Sequence, residues 1–233
     1  MEGFYQVDIF ATKGIEYIAV IIFLIGLIYY WRWLNKPAPS AKPVENSVSL
    51  VDWFRMADNY YYHQGHSWVR PDEESHVRVG IDDFAQKLLG RADDIHVPGV
   101  GGQLEQGKEG IRIKIKDKIF QVLSPVTGTV VSVNKNILKN PELLNQDPYE
   151  SGWLLKVHSP HLKYNLKNLL FGNIARDWFR STVDALSRQI SRNYGVVLQD
   201  GGMIKSGFVR DLPAEQWDQI ARYFLLNDES SAV

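Results

Sequence analysis

A two-residue alternation of apolar and basic positions is the clearest pattern in the middle of the chain. The apolar positions are odd: Ile111, Ile113, Ile115 and Ile119. Such alternation predicts a β-strand with one buried and one solvated face. Asp117 interrupts the apolar set, and burying its carboxylate would be costly, so we predict a tight turn at 116–118 and a returning strand at 119–123. The sequence SPVTG at 124–128 then ends that strand.

Short apolar runs separated by turn residues continue on both sides of this hairpin. Strand-like runs lie around Trp68, at 77–81 and at 152–157. Residues 82–90 predict a short helix that Asp82 or Asp83 caps and Gly90 ends. Many short strands with frequent turns indicate a β-rich sandwich or barrel, which we place at residues 50–170.

After residue 170 the apolar residues recur at helical spacing. One stripe consists of Ile174, Trp178, Phe179, Val183, Leu186 and Ile190. A second helix, beginning at Pro213, carries Trp217, Ile220, Ala221, Phe224 and Leu225 on one face. Between the two helices, Asp200-Gly201-Gly202 indicates a hairpin. We therefore predict a helix-hairpin-helix extension at 171–233, with both stripes in the core.

The N-terminal region is different, because no charge occurs between Glu16 and Arg32. Residues 15–34 are long enough to cross a bilayer and have aromatic residues at both ends, which predicts a transmembrane helix after an N-terminal segment at 1–14. Residues 35–49 contain three prolines and are interpreted as a linker. Basic residues are more frequent after the span than before it, so the large C-terminal part is expected in the cytoplasm.

Composition narrows the chemistry. The net charge of -1 gives no general attraction to nucleic acid, and the absence of cysteine excludes disulfides and thiolate catalysis. The histidine pairs His63/His66 and His158/His161 lie outside predicted helices and lack the further ligands that a metal site requires, so no metal is expected. No nucleophile, base and oxyanion arrangement can be assembled, and we predict a protein without catalytic residues.

Several motifs in one order resemble the glycine cleavage system H protein, a lipoyl-carrying domain of the biotinyl/lipoyl type. The matching segments are HSWV at 66–69, GIDDFAQKLLG at 80–90, VPGVG at 97–101, Leu104 with Gly107, SPVTG at 124–128, NQDPY at 145–149 and GWL at 152–154. The resemblance implies a lipoyl-type sandwich. The expected fold class is therefore α+β: a transmembrane helix, an H-protein-like sandwich and a C-terminal helical extension.

The resemblance also locates the position of the lipoyl group. In that family the modified lysine precedes the serine of the S-P-V-S-G stretch by seven residues. Counting back from Ser124 gives Asp117, which cannot form the amide, and the acidic residue expected three positions earlier is replaced by Lys114. Lys116 and Lys118 flank the position, but in a strand a shift of one residue reverses the face. The expectation is a degenerate site without lipoate, with modification of Lys116 or Lys118 as the alternative.

Two surfaces are candidates for partner binding. The hairpin surface consists of Arg112, Lys114, Lys116, Asp117 and Lys118. The helical strip consists of Arg176, Arg180, Arg188 and Arg192, which could contact lipid headgroups or an acidic partner.

The predicted function is a non-catalytic, membrane-anchored H-like protein that acts as a subunit or scaffold of a membrane-associated complex, such as one of energy metabolism. The whole arrangement resembles membrane-anchored H-like proteins of some bacteria, which implies a single pass through the bacterial inner membrane. Its expected partners are the membrane and other protein subunits, and not nucleic acid. The alternative is a lipoyl carrier that uses Lys116 or Lys118, as in glycine cleavage.

Overall fold

The computed structural model describes residues 9–34, 53–194, 206–211 and 213–226. The chain divides into two compact units, residues 1–46 and 47–233. In the first unit, helix α1 spans Ile9–Leu34 and includes the segment 15–34. Within the described parts of the chain, no helix is both long and apolar enough to cross a membrane. The transmembrane assignment of 15–34 is therefore not supported by the structure.

The second unit contains two antiparallel sheets. Its described strands are β1 (Tyr61–Tyr62), β2 (Ser67–Pro71), β3 (His76–Ile81), β4 (Asp94–His96), β5 (Gln103–Leu104), β6 (Glu109–Ile115), β7 (Lys118–Leu123), β8 (Gly128–Val133) and β9 (Leu155–His158). One sheet has the order β1-β2-β3-β9-β8-β5 and the other the order β4-β6-β7. Apolar side chains from both sheets belong to one buried cluster, so the predicted β-sandwich is confirmed.

Short helices connect and flank the strands. They are α2 (Asp83–Leu89), α3 (Lys135–Lys139), α4 (Glu142–Gln146) and α5 (Leu162–Lys167). The predicted caps of α2 are confirmed: the Asp82 carboxylate accepts a hydrogen bond from the Ala85 amide at 2.8 Å, and Gly90 ends the helix. The sequence therefore specified this helix through its own terminal residues.

Two longer helices, α6 (Gly172–Tyr194) and α7 (Ala214–Leu225), follow. The apolar stripe of α7 is buried throughout, and Phe179, Val183, Leu186 and Ile190 of α6 are buried in the same core as the sheets. Ile174 is an exception, because it lies in the first turn of α6 and is 69% exposed. The hairpin predicted around Asp200-Gly201-Gly202 lies outside the described residues.

A 3-10 helix at Phe208–Asp211 fastens the extension to α2. The amide of Gly207 donates to the Lys87 carbonyl at 2.7 Å, and Arg210 Nε donates to the Leu89 carbonyl at 2.9 Å. Gly90 has a φ of +76°, and a Cβ atom there would meet the Gly207 Cα atom at 2.6 Å. The end of α2 therefore requires glycine for its backbone angle and for the close approach of the C-terminal extension.

Candidate functional site

The β6–β7 hairpin ends in a two-residue turn formed by Lys116 and Asp117. Ile115 pairs with Lys118 directly before and after the turn. Lys116 has a φ of +52°, an uncommon angle for a residue with a side chain. The Asp93 carboxylate accepts a hydrogen bond from the Lys116 amide at 2.6 Å. Asp93 therefore ties the tip to the segment that precedes β4.

The length of the turn decides which side chains of β7 face the core. Ile111 pairs with Val122 and Ile113 with Phe120, and all four side chains are buried. Ile119, predicted to lie on the core side, is instead 61% exposed and pairs with Lys114 on the outer face. That prediction was wrong because cross-strand partners share a face, so a two-residue turn transfers the buried set from odd positions on β6 to even positions on β7.

The two-residue turn also puts the two candidate lysines in different places, with Lys116 in the turn and Lys118 on the inner face. Lys118 lies opposite Ile115 on the inner face, where α7 covers β7. Its Nζ atom is 2.5 Å from Oδ1 of Asp218 and 4.9 Å from the centroid of the Trp217 ring. The Trp217 ring in turn packs against Phe120 with ring centroids 5.4 Å apart. Lys118 is therefore held by the C-terminal helix.

The remaining hairpin candidates are exposed. Lys116 and Asp117 occupy the turn, and Arg112 and Lys114 lie on the outer face of β6. Arg112 forms an ion pair with Glu109 on the same strand. Lys114 lies between Asp94 of β4 and Ile119 of β7 in the strand register. The structure thus brings Arg112, Lys114, Lys116 and Asp117 together on one accessible surface and assigns Lys118 to the inner face.

The arginines of α6 are the second group of candidate partner-binding residues. Arg176 pairs with Asp58 at 2.6 Å, and Arg180 lies 3.7 Å from Asp177. Arg188 is exposed, whereas the side chain of Arg192 lies outside the described residues. Acidic neighbours therefore offset part of the positive charge that the sequence pattern indicated.

Buried polar contacts hold the strands and the helix around the hairpin together. His66 Nδ1 lies 2.7 Å from Asp82 Oδ2, and both side chains are buried. The His66 ring stacks on Phe84 with centroids 4.3 Å apart. The neighbouring Ser67 hydroxyl donates to the Leu123 carbonyl at 2.7 Å and so attaches the end of β7 to the larger sheet. His66 is thus engaged in packing the domain.

The turn at NQDPY is also held by a carboxylate. Asp147 accepts hydrogen bonds from the amides of Ser151 at 2.8 Å and Glu150 at 3.1 Å. Partial burial would raise the pKa of Asp147, but these amide hydrogen bonds outweigh it and hold the pKa below its ordinary value.

In the part of the chain that the structure describes, no three His, Asp or Glu side chains converge as a metal site would require.

Sequence reasoning missed Asp93, Trp217 and Asp218 as parts of the hairpin site. Asp93 follows α2 in the chain, and its carboxylate gives no periodic signal. Trp217 was assigned correctly to the apolar face of its helix. Its contact with the Lys118 ammonium could not be predicted, because it depends on where α7 packs. Asp218 directly follows Trp217 in the sequence, so it lies beside the apolar face of the helix. This position was the signal that its carboxylate could form an ion pair at the edge of the core.

Comparison with known proteins identifies the family. Residues 60–179 match the family model described as glycine cleavage H-protein. Among similar proteins, the glycine cleavage system H protein of Hydrogenovibrio crunogenus is 41% identical over 109 residues, which are 47% of this chain and 84% of that protein. The protein of the same description from Mycobacterium leprae is 41% identical over 44% of this chain and 78% of its own length.

A further relative and a solved structure are similar to part of the chain. The probable glycine cleavage system H protein of Thermococcus kodakarensis is 34% identical over 56% of this chain and 97% of its own length. The crystal structure of a glycine cleavage system H protein from Mycobacterium marinum is 25% identical, with a TM-score of 0.42, and covers 48% of this chain and 98% of that one. Because the family model matches residues 60–179 and the relatives from Hydrogenovibrio crunogenus and Thermococcus kodakarensis are 41% and 34% identical, the chain belongs to the glycine cleavage H-protein family.

Proposed function

We propose that this chain is a non-catalytic group carrier of the H-protein type and that lipoate is attached at Lys116. The observation that carries the proposal is the placement of Lys116. It is the exposed first residue of a two-residue turn at the end of a paired hairpin. The names of the relatives also favour a carrier over the membrane scaffold that the sequence pattern suggested.

Attachment requires an accessible primary amine. The neutral Nζ atom of Lys116 would attack the carbonyl carbon of lipoate activated as an acyl adenylate. The new C–N bond forms as the C–O bond to AMP breaks, AMP leaves with the electron pair, and the amine proton passes to solvent. Once bound, the lipoyl group supplies a redox-active dithiolane on a long arm that can carry an intermediate between the active sites of partner enzymes.

The residues at the tip fit this group in part. Asp117, which occupies the position of the family's lysine, offers no amine. Lys116 precedes it in the turn and is exposed, whereas Lys118 is bound to Asp218. The hydrogen bond from the Lys116 amide to Asp93 holds the backbone of the tip in place. Of the two lysines left open by the sequence, Lys116 is therefore the attachment residue in this proposal.

The test is an intact-mass measurement on protein from its native host, followed by peptide mapping of residues 110–128. We expect an increment equal to one amide-linked lipoyl group, located on Lys116 and absent from a Lys116→Arg variant expressed in the same host. An unmodified peptide from cells that load their other lipoyl proteins would contradict the carrier function.

A second candidate is an unmodified H-like scaffold in a membrane-associated complex. Asp117 at the family's lysine position favours it, because an aspartate there cannot carry lipoate. In this candidate the exposed residues Arg112, Lys114 and Lys116 bind a partner subunit, and residues 15–34 anchor the chain in the membrane. In this candidate the second unit is expected on the cytoplasmic side, because basic residues are more frequent after residues 15–34 than before them.

This candidate predicts an unmodified hairpin and a stable assembly in the membrane fraction. Protein extracted with mild detergent should elute with partner subunits, and a Lys114→Glu/Lys116→Glu variant should lose them. Lys163→Glu/Lys167→Glu, which alters exposed lysines on α5, is the matched control. A chain that is found away from the membrane fraction and elutes as a monomer would contradict the scaffold.

A further inference from the structure

The hairpin carries two lysines close to its tip, and they are in different environments. Lys116 is exposed in the turn, whereas the side chain of Lys118 is 23% exposed and contacts α7. Helix α7 lies beyond residues 60–179, the part of the chain that matches the family model. The extension therefore adds a contact to the hairpin at the place where a group would be attached.

We propose that α7 determines which hairpin lysine is modified, with Asp218 and Trp217 as the specificity-determining residues that withhold Lys118 and leave Lys116 as the acceptor. The inference rests on the proposed carrier function, because it assumes that an acyl group is transferred to the tip. It assigns to the C-terminal extension a role in selecting the site of modification.

Three features of the structure withhold Lys118. The strand register places its side chain on the inner face, opposite Ile115. Asp218 Oδ1 lies 2.5 Å from the ammonium, within the range of a charge-assisted hydrogen bond. The Trp217 ring lies 4.9 Å from the same ammonium, at the distance of a cation–π contact.

These contacts oppose acylation for a chemical reason. The attacking amine must be neutral and must present its lone pair to a carbonyl carbon. The Asp218 carboxylate and the Trp217 ring hold the Lys118 ammonium against α7, away from an incoming carbonyl carbon. Lys118 has to leave both groups before it can react, whereas the exposed Lys116 side chain projects from the turn.

Trp217 also positions Asp218, the residue that pairs with Lys118. Its ring is buried, packs against Phe120 and forms part of the main core. The tryptophan therefore fixes α7 against β7, so that the next residue, Asp218, lies beside Lys118. Because a change of Trp217 would disturb the core, Asp218 is the better position for a test.

The first test measures lysine reactivity without any attaching enzyme. The folded full-length chain is treated with limiting acetic anhydride, and acetylation of each lysine is followed by peptide mass mapping. An amide forms at Nζ, acetate leaves with the electron pair, and the amine proton passes to solvent. In the wild type we expect Lys116 to react faster than Lys118, with the exposed Lys167 as the internal reference.

The variant Asp218→Asn removes the charge and retains the shape. It should raise the acetylation rate of Lys118 about two- to fivefold, which corresponds to the free energy of a partly exposed ion pair. The acetylation rates of Lys116 and Lys167 should not change. Asp184→Asn, at an exposed acidic position on α6, is the matched control and should change none of the three rates. Equal rates for Lys116 and Lys118 in the wild type, or no effect of Asp218→Asn, would overturn the proposal.

The second test uses a lipoate-attaching enzyme with lipoate and ATP. Peptide mapping should locate the lipoyl group on Lys116 in the wild type and on both Lys116 and Lys118 in Asp218→Asn. If the lipoyl group is found only on Lys116 in both the wild type and Asp218→Asn, the proposal that α7 selects the modified lysine is wrong. Failure of the wild type to accept any lipoate would refute the carrier function, while the acetylation rates would still report whether α7 withholds Lys118.

Discussion

Single acidic residues control the two lysines of the hairpin in different ways. Asp93 binds the backbone amide of Lys116, whereas Asp218 binds the side chain of Lys118. The first contact fixes the position of the turn and leaves the side chain exposed. The second holds the side chain itself. The two lysines therefore differ in availability: the Lys116 side chain is exposed, whereas the Lys118 side chain is bound to Asp218.

Replacing Asp93 with alanine should loosen the tip. The Lys116 amide loses a hydrogen bond to a charged acceptor, and we expect a loss of local stability of about 1 kcal/mol at this exposed position. Hydrogen exchange of that amide should accelerate about fivefold, as the same free energy implies. Asp94→Ala is the control, because the Asp94 carboxylate accepts from the Ile95 amide. Unchanged exchange at Lys116 in Asp93→Ala would contradict the anchoring role.

At the scale of elements, the turn and the C-terminal helix define the hairpin's two faces. The two-residue turn places Phe120 and Val122 on the inner face and Ile119 on the outer face. Helix α7 then covers β7 from the inside with Trp217. The outer face remains accessible, with Lys114 beside Ile119. Modification or docking at this hairpin is therefore expected at the tip and on the outer face.

The packing of α7 can be tested with adjacent residues. Phe224 is buried against Phe84 with ring centroids 5.1 Å apart, whereas Tyr223 is 64% exposed. Phe224→Ala should lower the free energy of unfolding by about 3–5 kcal/mol, as expected for a truncated core aromatic residue. Tyr223→Ala should change it by about 0.5 kcal/mol or less. Similar urea denaturation midpoints for the two variants would contradict the packing of α7 in the core.

At the scale of the second unit, the family domain and the C-terminal extension share one core. The main apolar cluster contains residues from Phe54 to Leu225 and includes both sheets, α2, α6 and α7. The match to the family ends at residue 179, within α6. The extension is therefore a continuation of the H-protein core. This continuity explains how residues outside the family domain reach its hairpin.

The sequence alone determined the features that depend on neighbouring residues. The alternation from Ile111 predicted β6, and helical spacing predicted the buried stripe of α7. Asp82 or Asp83 at the start and Gly90 at the end predicted the ends of α2. The ordered motifs indicated the family that the comparisons confirmed. Each of these signals is local, because periodicity records which face of an element is buried and caps satisfy the nearest amides.

The tertiary structure decided the features that depend on which surfaces meet. The alternation in the sequence had placed Ile119 on the buried face and Lys118 on the solvated face. The two-residue turn instead exposes Ile119 and directs Lys118 inwards. The packing of α7 on β7 brought Asp218 to Lys118, and the segment before β4 brought Asp93 to Lys116. No local pattern specifies such a pairing, because it arises only after distant elements have packed together.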